Sequence, residues 1–429
     1  MGGRQAALDP SETWTDSARR AYQRDRLERL FAAVLPSNGF YRAKLGERAS
    51  VDAWAELPFT TKTELSADQA EHPPFGTNLT YPLERYVRLH QTSGTTGMPL
   101  RIIDTAADWA WWGEVWDFIY RAAGVTAADR VYFAFSFGPF VGFWSAFAGA
   151  ERLGALVISG AAQSTTERLR AIVATAATVL LSTPTYALRL AEVAAAEGIE
   201  PARSALRVSI HAGEPGASIP STRQRIEEAF GVRAFDHTGA TEVGATGFSC
   251  AARDGVHLIE REYVAEVLAP DGRIADEGEG ELVLTNLGRL GMPAIRYRTG
   301  DRVRALRGTC ACGRTFVKLA GGILGRVDDM LTVRGVNVFP SALEAVVRRF
   351  ADVAEFRIEA YVERGMDALR CTIEPRAGRD PAALAAAVGD ALHRDIGIRV
   401  EMAFVEPGTL PRFELKAKRF RRTREPEAV

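Results

Sequence analysis

Between residues 106 and 235, short apolar runs alternate with stretches of helical periodicity. Residues 131–135, 155–158, 178–181 and 206–210 read as strands, and residues 143–153, 187–197 and 221–230 between them as helices. Such alternation marks a layered α/β sheet with crossover helices. From His257 to Arg307 the pattern changes to strands separated by Asp271-Gly272 and Gly278-Glu279-Gly280 turns, which predicts an antiparallel β subdomain. After Asp328 the chain reads as a strand, a helix over 341–350, strands over 354–363 and 368–374, a second helix over 381–393 and a last strand over 399–405. The alanine-rich stretches 171–177 and 382–387 fit helix propensity and need no other role. The expected fold class is α/β: a large N-terminal layered domain over 1–327 with an antiparallel β subdomain, and a small α+β C-terminal domain over 328–429.

Composition narrows the function classes. A chain of 429 residues exceeds a single typical core, and 47% hydrophobic with 25% charged residues is ordinary for a globular protein. A net charge of -1 offers no global field for nucleic acid, and the basic tail from Lys416 to Arg424 is too short to change that. No apolar run reaches membrane-spanning length and the N-terminal residues have no hydrophobic signal core, so a cytoplasmic location without membrane contact is expected. Four cysteines do not make a disulfide scaffold in so long a chain, and the Cys310-Ala311-Cys312 spacing suits metal ligation better than a bridge.

The chemistry is most legible at Gln91-Thr92-Ser93-Gly94-Thr95-Thr96-Gly97-Met98-Pro99. Hydroxyl groups supply donors there, and glycines let backbone N–H groups approach phosphate oxygens without a Cβ in the way. Strand-like flanks make this loop a hairpin tip, and it lacks the helix and Gly-Lys-Ser/Thr ending of a Walker loop. With Thr238-Gly239-Ala240-Thr241-Glu242, Tyr297-Arg298-Thr299-Gly300-Asp301 and Gly325-Arg326-Val327-Asp328 following in order, the chain resembles the adenylate-forming enzymes, the acyl-CoA synthetase and luciferase superfamily. Residues 328–340 and 407–412, with Lys416-Ala417 after them, look like the phenylacetate-CoA ligase branch.

The resemblance implies a reaction: ATP-dependent activation of a carboxylic acid to an acyl-adenylate with release of pyrophosphate, then acyl transfer to CoA. It also implies roles. Thr92, Ser93, Gly94, Thr95, Thr96 and Gly97 would cradle the β- and γ-phosphates, with Met98 standing where the family usually has lysine and Arg101 as a substitute cation. Glu242 would bind Mg²⁺ and Thr241 would contact the α-phosphate. Thr238 replaces the tyrosine that usually stacks on adenine, so the backbone at Gly213-Glu214-Pro215 is the alternative adenine contact; Thr238 and Gly239 stay among the nucleotide-binding residues. Asp301 would accept hydrogen bonds from the ribose, Arg326 would lie near the ribose and phosphate, and Asp328 would be the hinge of a mobile lid. Lys416 would reach from that lid to the reacting oxygens; Lys418 competes for the role, and Leu415 stands in place of the usual glycine.

Cys250, His257, Cys310 and Cys312 resemble a structural site seen in part of this branch and fit closed tetrahedral zinc; four unconnected residues are the alternative, and Cys371 is expected in the core. The loop carrying Phe135, Phe137, Gly138 and Phe140 lies where similar ligases build the acyl pocket, and its aromatic lining predicts a flat aryl acid. His211 and His237 flank active-site turns as substrate contacts or as hydrogen-bonded neighbours. The expected partners are an aromatic carboxylic acid and CoA, with no nucleic acid or membrane, and a homodimer as candidate assembly. Two alternatives stay open: an enzyme of secondary metabolism passing its aryl-AMP to an amine or carrier thiol, and a non-catalytic nucleotide-binding homologue. Retention of Glu242, Asp301, Arg326 and Lys416 argues against the second.

Overall fold

The computed structural model describes residues 8–46, 49–92, 99–142, 144–214, 216–327, 329, 331–333, 336–363, 366–413 and 419–423. Two helices, α1 (Asp16–Val34) and α2 (Gly39–Leu45), precede α3 (Lys62–Glu71) and a hairpin of β1 (Tyr86–Gln91) and β2 (Arg101–Thr105). The layered part follows as α4 (Ala106–Ala123), β3 (Arg130–Phe133), α5 (Trp144–Leu153), β4 (Leu156–Ser159), α6 (Thr165–Ala174), β5 (Val179–Ser182), α7 (Pro184–Glu197), β6 (Val208–His211), α8 (Pro220–Phe230) and β7 (Arg233–Ala240). Helices α4, α6 and α7 begin at a threonine or serine whose side chain caps them, whereas α8 begins at Pro220 without a side-chain cap. Thr105 with Asp108 and Ser164 with Glu167 form capping boxes, while Gly124, Gly198 and Gly231 end helices in the left-handed conformation. The helix expected to run to residue 177 stops at Ala174, and Ala176 takes a positive φ of 48° as the chain turns into β5.

Strands β3 to β7 are parallel, and side chains alternate between two cores. Val131, Phe133, Leu181 and Ile210 face the cluster under α4 and α5, while Tyr132, Ala134 and Leu180 face the one under α6, α7 and α8. Burial on both faces of β3 and β5 is why these two read as continuous apolar runs, whereas β4 is the exposed edge strand. The antiparallel strands are β8 (Gly244–Ser249), β9 (Gly255–Leu258), β10 (Tyr263–Leu268), β11 (Ile274–Ala275), β12 (Gly278–Asn286), β13 (Tyr297–Leu306), β14 (Lys318–Ala320) and β15 (Gly325–Arg326). They continue the same sheet through the β7–β8 pairing, in the order β11-β10-β12-β13-β14-β9-β8-β7-β6-β5-β3-β4.

The C-terminal region has its own core, centred on Val338, Leu343, Phe356, Ile373 and Leu392. A hairpin of β16 (Leu331–Val333) and β17 (Val336–Val338) leads to α9 (Pro340–Val347), β18 (Val353–Glu363), β19 (Met366–Pro375), α10 (Pro381–Ile396), β20 (Glu401–Phe404) and β21 (Phe420–Arg422). The strand order is β20-β19-β18-β21. The last strand has no counterpart in the apolar pattern because its residues are Phe-Arg-Arg. Its pairing with β18 is supported by Arg421, whose guanidinium donates to the buried Glu359 at 2.9 Å. Among the described residues no helix is long and apolar enough to cross a membrane.

Candidate active site

Three elements converge on Glu242, in the turn between β7 and β8. The Lys62 ammonium lies 3.2 Å from its Oε1, and the Tyr297 hydroxyl is beside it. Burial first, and then the charge of Glu242, pushes that phenol well above its ordinary pKa. Lys62 is held there because Thr60 exchanges backbone hydrogen bonds with Arg296 and Arg298 at 2.9 and 2.8 Å, while Thr61 caps α3. Further along β13, Asp301 pairs in register with Arg326 of β15, whose Nη1 lies 3.4 Å from its Oδ1 and donates to the Thr299 carbonyl at 2.9 Å. Gly300 is favoured at this crossing by its φ of 74°, which strains L side chains, and the Arg326 guanidinium packs directly against its Cα.

Thr238 hydrogen-bonds through Oγ1 to the Thr246 hydroxyl at 3.1 Å. Gly239 packs so closely that a Cβ would come 2.7 Å from the Gly244 carbonyl. Gly213 sits at φ 93°, and Glu214 accepts from the Thr185 N–H at 2.8 Å, at the start of α7. Of the phosphate-loop residues Thr92 is described: it is buried, and its N–H and Oγ1 close the hairpin onto Leu100 at 3.0 and 3.1 Å. Arg101 donates Nη1 to the Pro74 carbonyl at 3.1 Å. Ser93, Gly94, Thr95, Thr96, Gly97, Met98, Pro215, Asp328, Leu415, Lys416 and Lys418 lie outside the described residues.

The loop after β3 forms an aromatic nest. The Phe137 ring packs 4.6 Å from Trp144, 5.7 Å from Phe147 and 6.1 Å from Phe135. Trp144 donates to the Gly138 carbonyl at 3.0 Å, and Phe140 lies so near that a Cβ on Gly138 would come 3.3 Å from its ring. Gln91 at the end of β1 donates its N–H to Pro139 O at 2.8 Å, which joins this loop to the phosphate hairpin. On β7 the buried His237 faces Trp116 at 4.5 Å and donates Nδ1–H to Gly247 O at 2.9 Å. His211 at the end of β6 has Nε2 2.8 Å from the Ser209 hydroxyl and Nδ1 3.3 Å from the Ser182 carbonyl, so both ring nitrogens are satisfied within the protein. Burial pushes both imidazoles down to about 4, against the opposing pull of their carbonyl partners. Beside them the Asp236 carboxyl is pushed up to about 6 by burial, although the Ser218 hydroxyl and the His237 N–H bond to it.

Sequence reasoning missed Lys62, Asp236 and Trp116. Only Lys62 carries a local signal, because it follows the capping threonine of a Thr61-x-x-Glu64 box and so has a fixed place at a helix start.

Cys250, His257, Cys310 and Cys312 do come together, with one ligand atom from each within 4.8 Å of the others. The Cys250 and Cys310 sulfurs are 3.8 Å apart, and Cys312 Sγ is 3.6 Å from His257 Nε2. His257 Nδ1 donates to Phe316 O at 3.0 Å, which leaves Nε2 as the lone-pair nitrogen facing the sulfurs. Gly313 N–H bonds to Cys310 O and Cys310 N–H to Arg314 O, a tight turn that presents both thiols. Arg314 reaches the fully buried Glu12 at 2.6 Å, tying the corner to the N-terminal segment. Cys371 is buried in the separate C-terminal core.

Residues 47–288 match the family described as AMP-binding enzyme, and residues 335–424 match the AMP-binding enzyme C-terminal domain. The chain belongs to the AMP-binding enzyme family. It is 33% identical to a phenylacetate-coenzyme A ligase of Pseudomonas putida over 96% of both chains. It is also similar to a crystal structure of 2-hydroxyisobutyryl-CoA ligase in the postadenylation state in complex with R3-HIB-AMP, with 29% identity, a TM-score of 0.90 and coverage of 99% of this chain and 95% of that one. Against the same ligase in complex with 2-HIB-AMP and CoA in the thioesterification state, at the same coverage and 30% identity, the TM-score is 0.72. Membership of the family makes this chain an adenylate-forming ligase.

Proposed function

We propose that this enzyme activates an aromatic carboxylic acid with ATP and passes the acyl group to CoA. The observation that carries the reading is the hydrogen bond from Gln91 to Pro139, which sets the aromatic nest against the root of the phosphate hairpin. A flat acid in the nest would present its carboxylate to the nucleotide side, where Glu242, Asp301 and Arg326 gather. The carboxylate oxygen attacks the α-phosphorus, the bond to pyrophosphate breaks, and the resulting acyl-adenylate is opened by the CoA sulfur with loss of the thiol proton and release of AMP. CoA is favoured over an amine or carrier thiol because the similar ligases bear CoA in their names.

The roles are those that the resemblance implies. Thr92, Ser93, Thr95 and Thr96 hold the outer phosphates, Thr241 contacts the α-phosphate, and Asp301 with Arg326 takes the ribose. Glu242 would hold Mg²⁺, and the ion would supply positive charge between two anions that must meet; a site of one carboxylate plus phosphate oxygens suits it. The Lys62 ammonium lies beside the same carboxylate, at 3.2 Å. The domains divide as 1–327 and 328–429, with Asp328 the hinge and Lys416 delivered by the lid. Supporting this, Arg419 beside the lysine segment donates to Thr185 Oγ1 of α7 at 3.0 Å while gripping Glu355 of β18 at 2.6 and 2.9 Å. The better match to the postadenylation structure is in keeping with a lid held against the adenylate. The enzyme acts in the cytoplasm, where its free cysteines stay reduced.

Cys250, His257, Cys310 and Cys312 hold one structural zinc that pins the β8–β9 corner to the loop before β14. Protein purified without chelator should contain about one zinc per chain, and Cys310→Ser should lower thermal stability more than ATP affinity. Elemental analysis without a transition metal would sink the assignment. The function itself is tested by acid-dependent ATP–pyrophosphate exchange followed by thioester formation with CoA. Benzoate, anthranilate or phenylacetate derivatives should drive exchange far better than acetate or long fatty acids; an aliphatic preference would overturn the aromatic assignment and leave adenylation standing.

A further inference from the structure

We infer that Arg289 is a positioning residue for adenylation, clamping the base of the phosphate hairpin to the backbone of the Thr241–Glu242 turn. The inference rests on the reading of Glu242 as the metal-binding carboxylate. Arg289 is fully buried and donates Nε–H to Asp104 Oδ1 on β2 at 2.7 Å. From the same guanidinium, Nη1 donates to the Glu242 carbonyl at 3.0 Å and to the Thr241 carbonyl at 3.3 Å. Its plane lies over the Trp112 ring, and the Trp112 indole N–H approaches the same Asp104 oxygen at 3.4 Å. One planar fork therefore spans the two elements that must grip opposite ends of a triphosphate.

The geometry is directional. Because a trans peptide sets its N–H opposite its carbonyl, drawing the Thr241 carbonyl toward Arg289 turns the Glu242 N–H away from the buried arginine. Asp104 also anchors the hairpin: Arg88 is its register partner on β1, and His90, two residues further along β1, has Nδ1 3.9 Å from its Oδ2 and stacks on Trp109 at 5.3 Å. Stability is a poor reason for such a pair, since a buried ion pair is often matched or exceeded by apolar packing of the same volume. Beyond the hydrogen bond that joins them, Asp104 Oδ2 faces His90 Nδ1 at 3.9 Å, and Arg289 Nη2 makes no hydrogen bond to another described residue. Arg296 is the contrast. It grips Glu266 through two hydrogen bonds at 2.8 and 3.1 Å and donates to the Ala55 and Leu57 carbonyls, linking elements that carry no proposed ligand contact.

The test uses Arg289→Lys and Asp104→Asn, which keep polarity and volume and so favour folding, beside Glu242→Gln and the double variant Asp104→Asn/Glu242→Gln. Pyrophosphate exchange is measured per folded molecule as a function of Mg²⁺ and ATP. Each clamp variant should lose about tenfold or more in kcat and need more Mg²⁺ for half-maximal rate, with the acid's KM nearly unchanged. The double variant should be no slower than Glu242→Gln alone, because the clamp acts through that residue. Rates within about twofold of the unmodified enzyme with the same Mg²⁺ dependence, or losses that simply multiply in the double variant, would overturn the clamp. If Glu242→Gln itself leaves exchange and its Mg²⁺ dependence intact, the reading of Glu242 fails and the clamp fails with it; a slow Glu242→Gln beside normal clamp variants removes the clamp alone.

Discussion

The two halves of the proposed site are built from different materials. On the nucleotide side the side chains of Asp301 and Arg326 are 25% and 40% exposed, and they sit at a strand crossing whose backbone favours glycine at Gly300. On the acid side His211 is 0% and Phe135 9% exposed, and the same rings that would touch substrate also fill the core cluster under α4 and α5. The first half is specified by backbone geometry, so each position admits few residue types. The second is specified by volume, which many apolar combinations can supply. Charge should therefore dominate rate on one side, while burial dominates stability and selectivity on the other.

The sharpest challenge to this division is the lid lysine. Lys416→Ala should lower acid-dependent pyrophosphate exchange by more than roughly 100-fold, about 3 kcal/mol of transition-state stabilisation, while melting temperature stays near that of the unmodified protein. Lys418→Ala should be much milder. Equal losses in the two variants, or a loss confined to Lys418→Ala, would mean that the register of the C-terminal motif is wrong.

The same division explains what could be read from the chain. The hairpin, the parallel strands and the lid elements were legible because period and turn residues report local backbone geometry. Cys250, His257, Cys310 and Cys312 were legible as a set through their resemblance to a structural site in this branch, and the structure brings the four together. Arg289 and Trp116 were not legible. Each looks like an ordinary residue in its own segment, and its meaning lies in contacts 185 positions away for Arg289 with Asp104 and 29 positions away for Trp116 with Ser145. The strand β21 was missed for a related reason: its pairing depends on β18, not on an apolar run.

Burial on the acid side makes a pH prediction of opposite signs. His211 and His237 have folded pKa values near 4, below the ordinary imidazole value of 6.5, so the unfolded chain binds more protons between those limits. Their contribution is present above pH 6.5 and is lost as pH falls toward 4, up to about 3 kcal/mol for each. Asp236 behaves in reverse. Its folded pKa of about 6 exceeds the ordinary 3.8, so stability is present below 3.8 and lost as pH rises through 6. Asp236→Asn should thus gain stability relative to the unmodified protein from pH 4 to 6 and hold the gain, up to about 3 kcal/mol, above that. Urea midpoints across the range decide it, and a difference that does not change with pH would show that Asp236 is not strained by burial.

The smallest effect should be the most specific. Phe137 is half-buried among Trp144, Phe147, Phe133 and Phe135, so truncation removes one wall of the nest without emptying the core. Phe137→Ala should raise the KM for an aryl acid by about tenfold, roughly the 1–3 kcal/mol that loss of an apolar pocket contact costs, and narrow its advantage over acetate. The kcat should fall less, because the groups proposed to meet the α-phosphate, Thr241 and Glu242, lie in the β7–β8 turn and not in the nest. The ratio of kcat/KM for benzoate to that for acetate, measured by exchange, is the readout. If the melting temperature drops while that ratio is unchanged, the ring serves packing alone, and the acid must be read by residues nearer His237 and Trp116, which meet 4.5 Å apart at the head of β7.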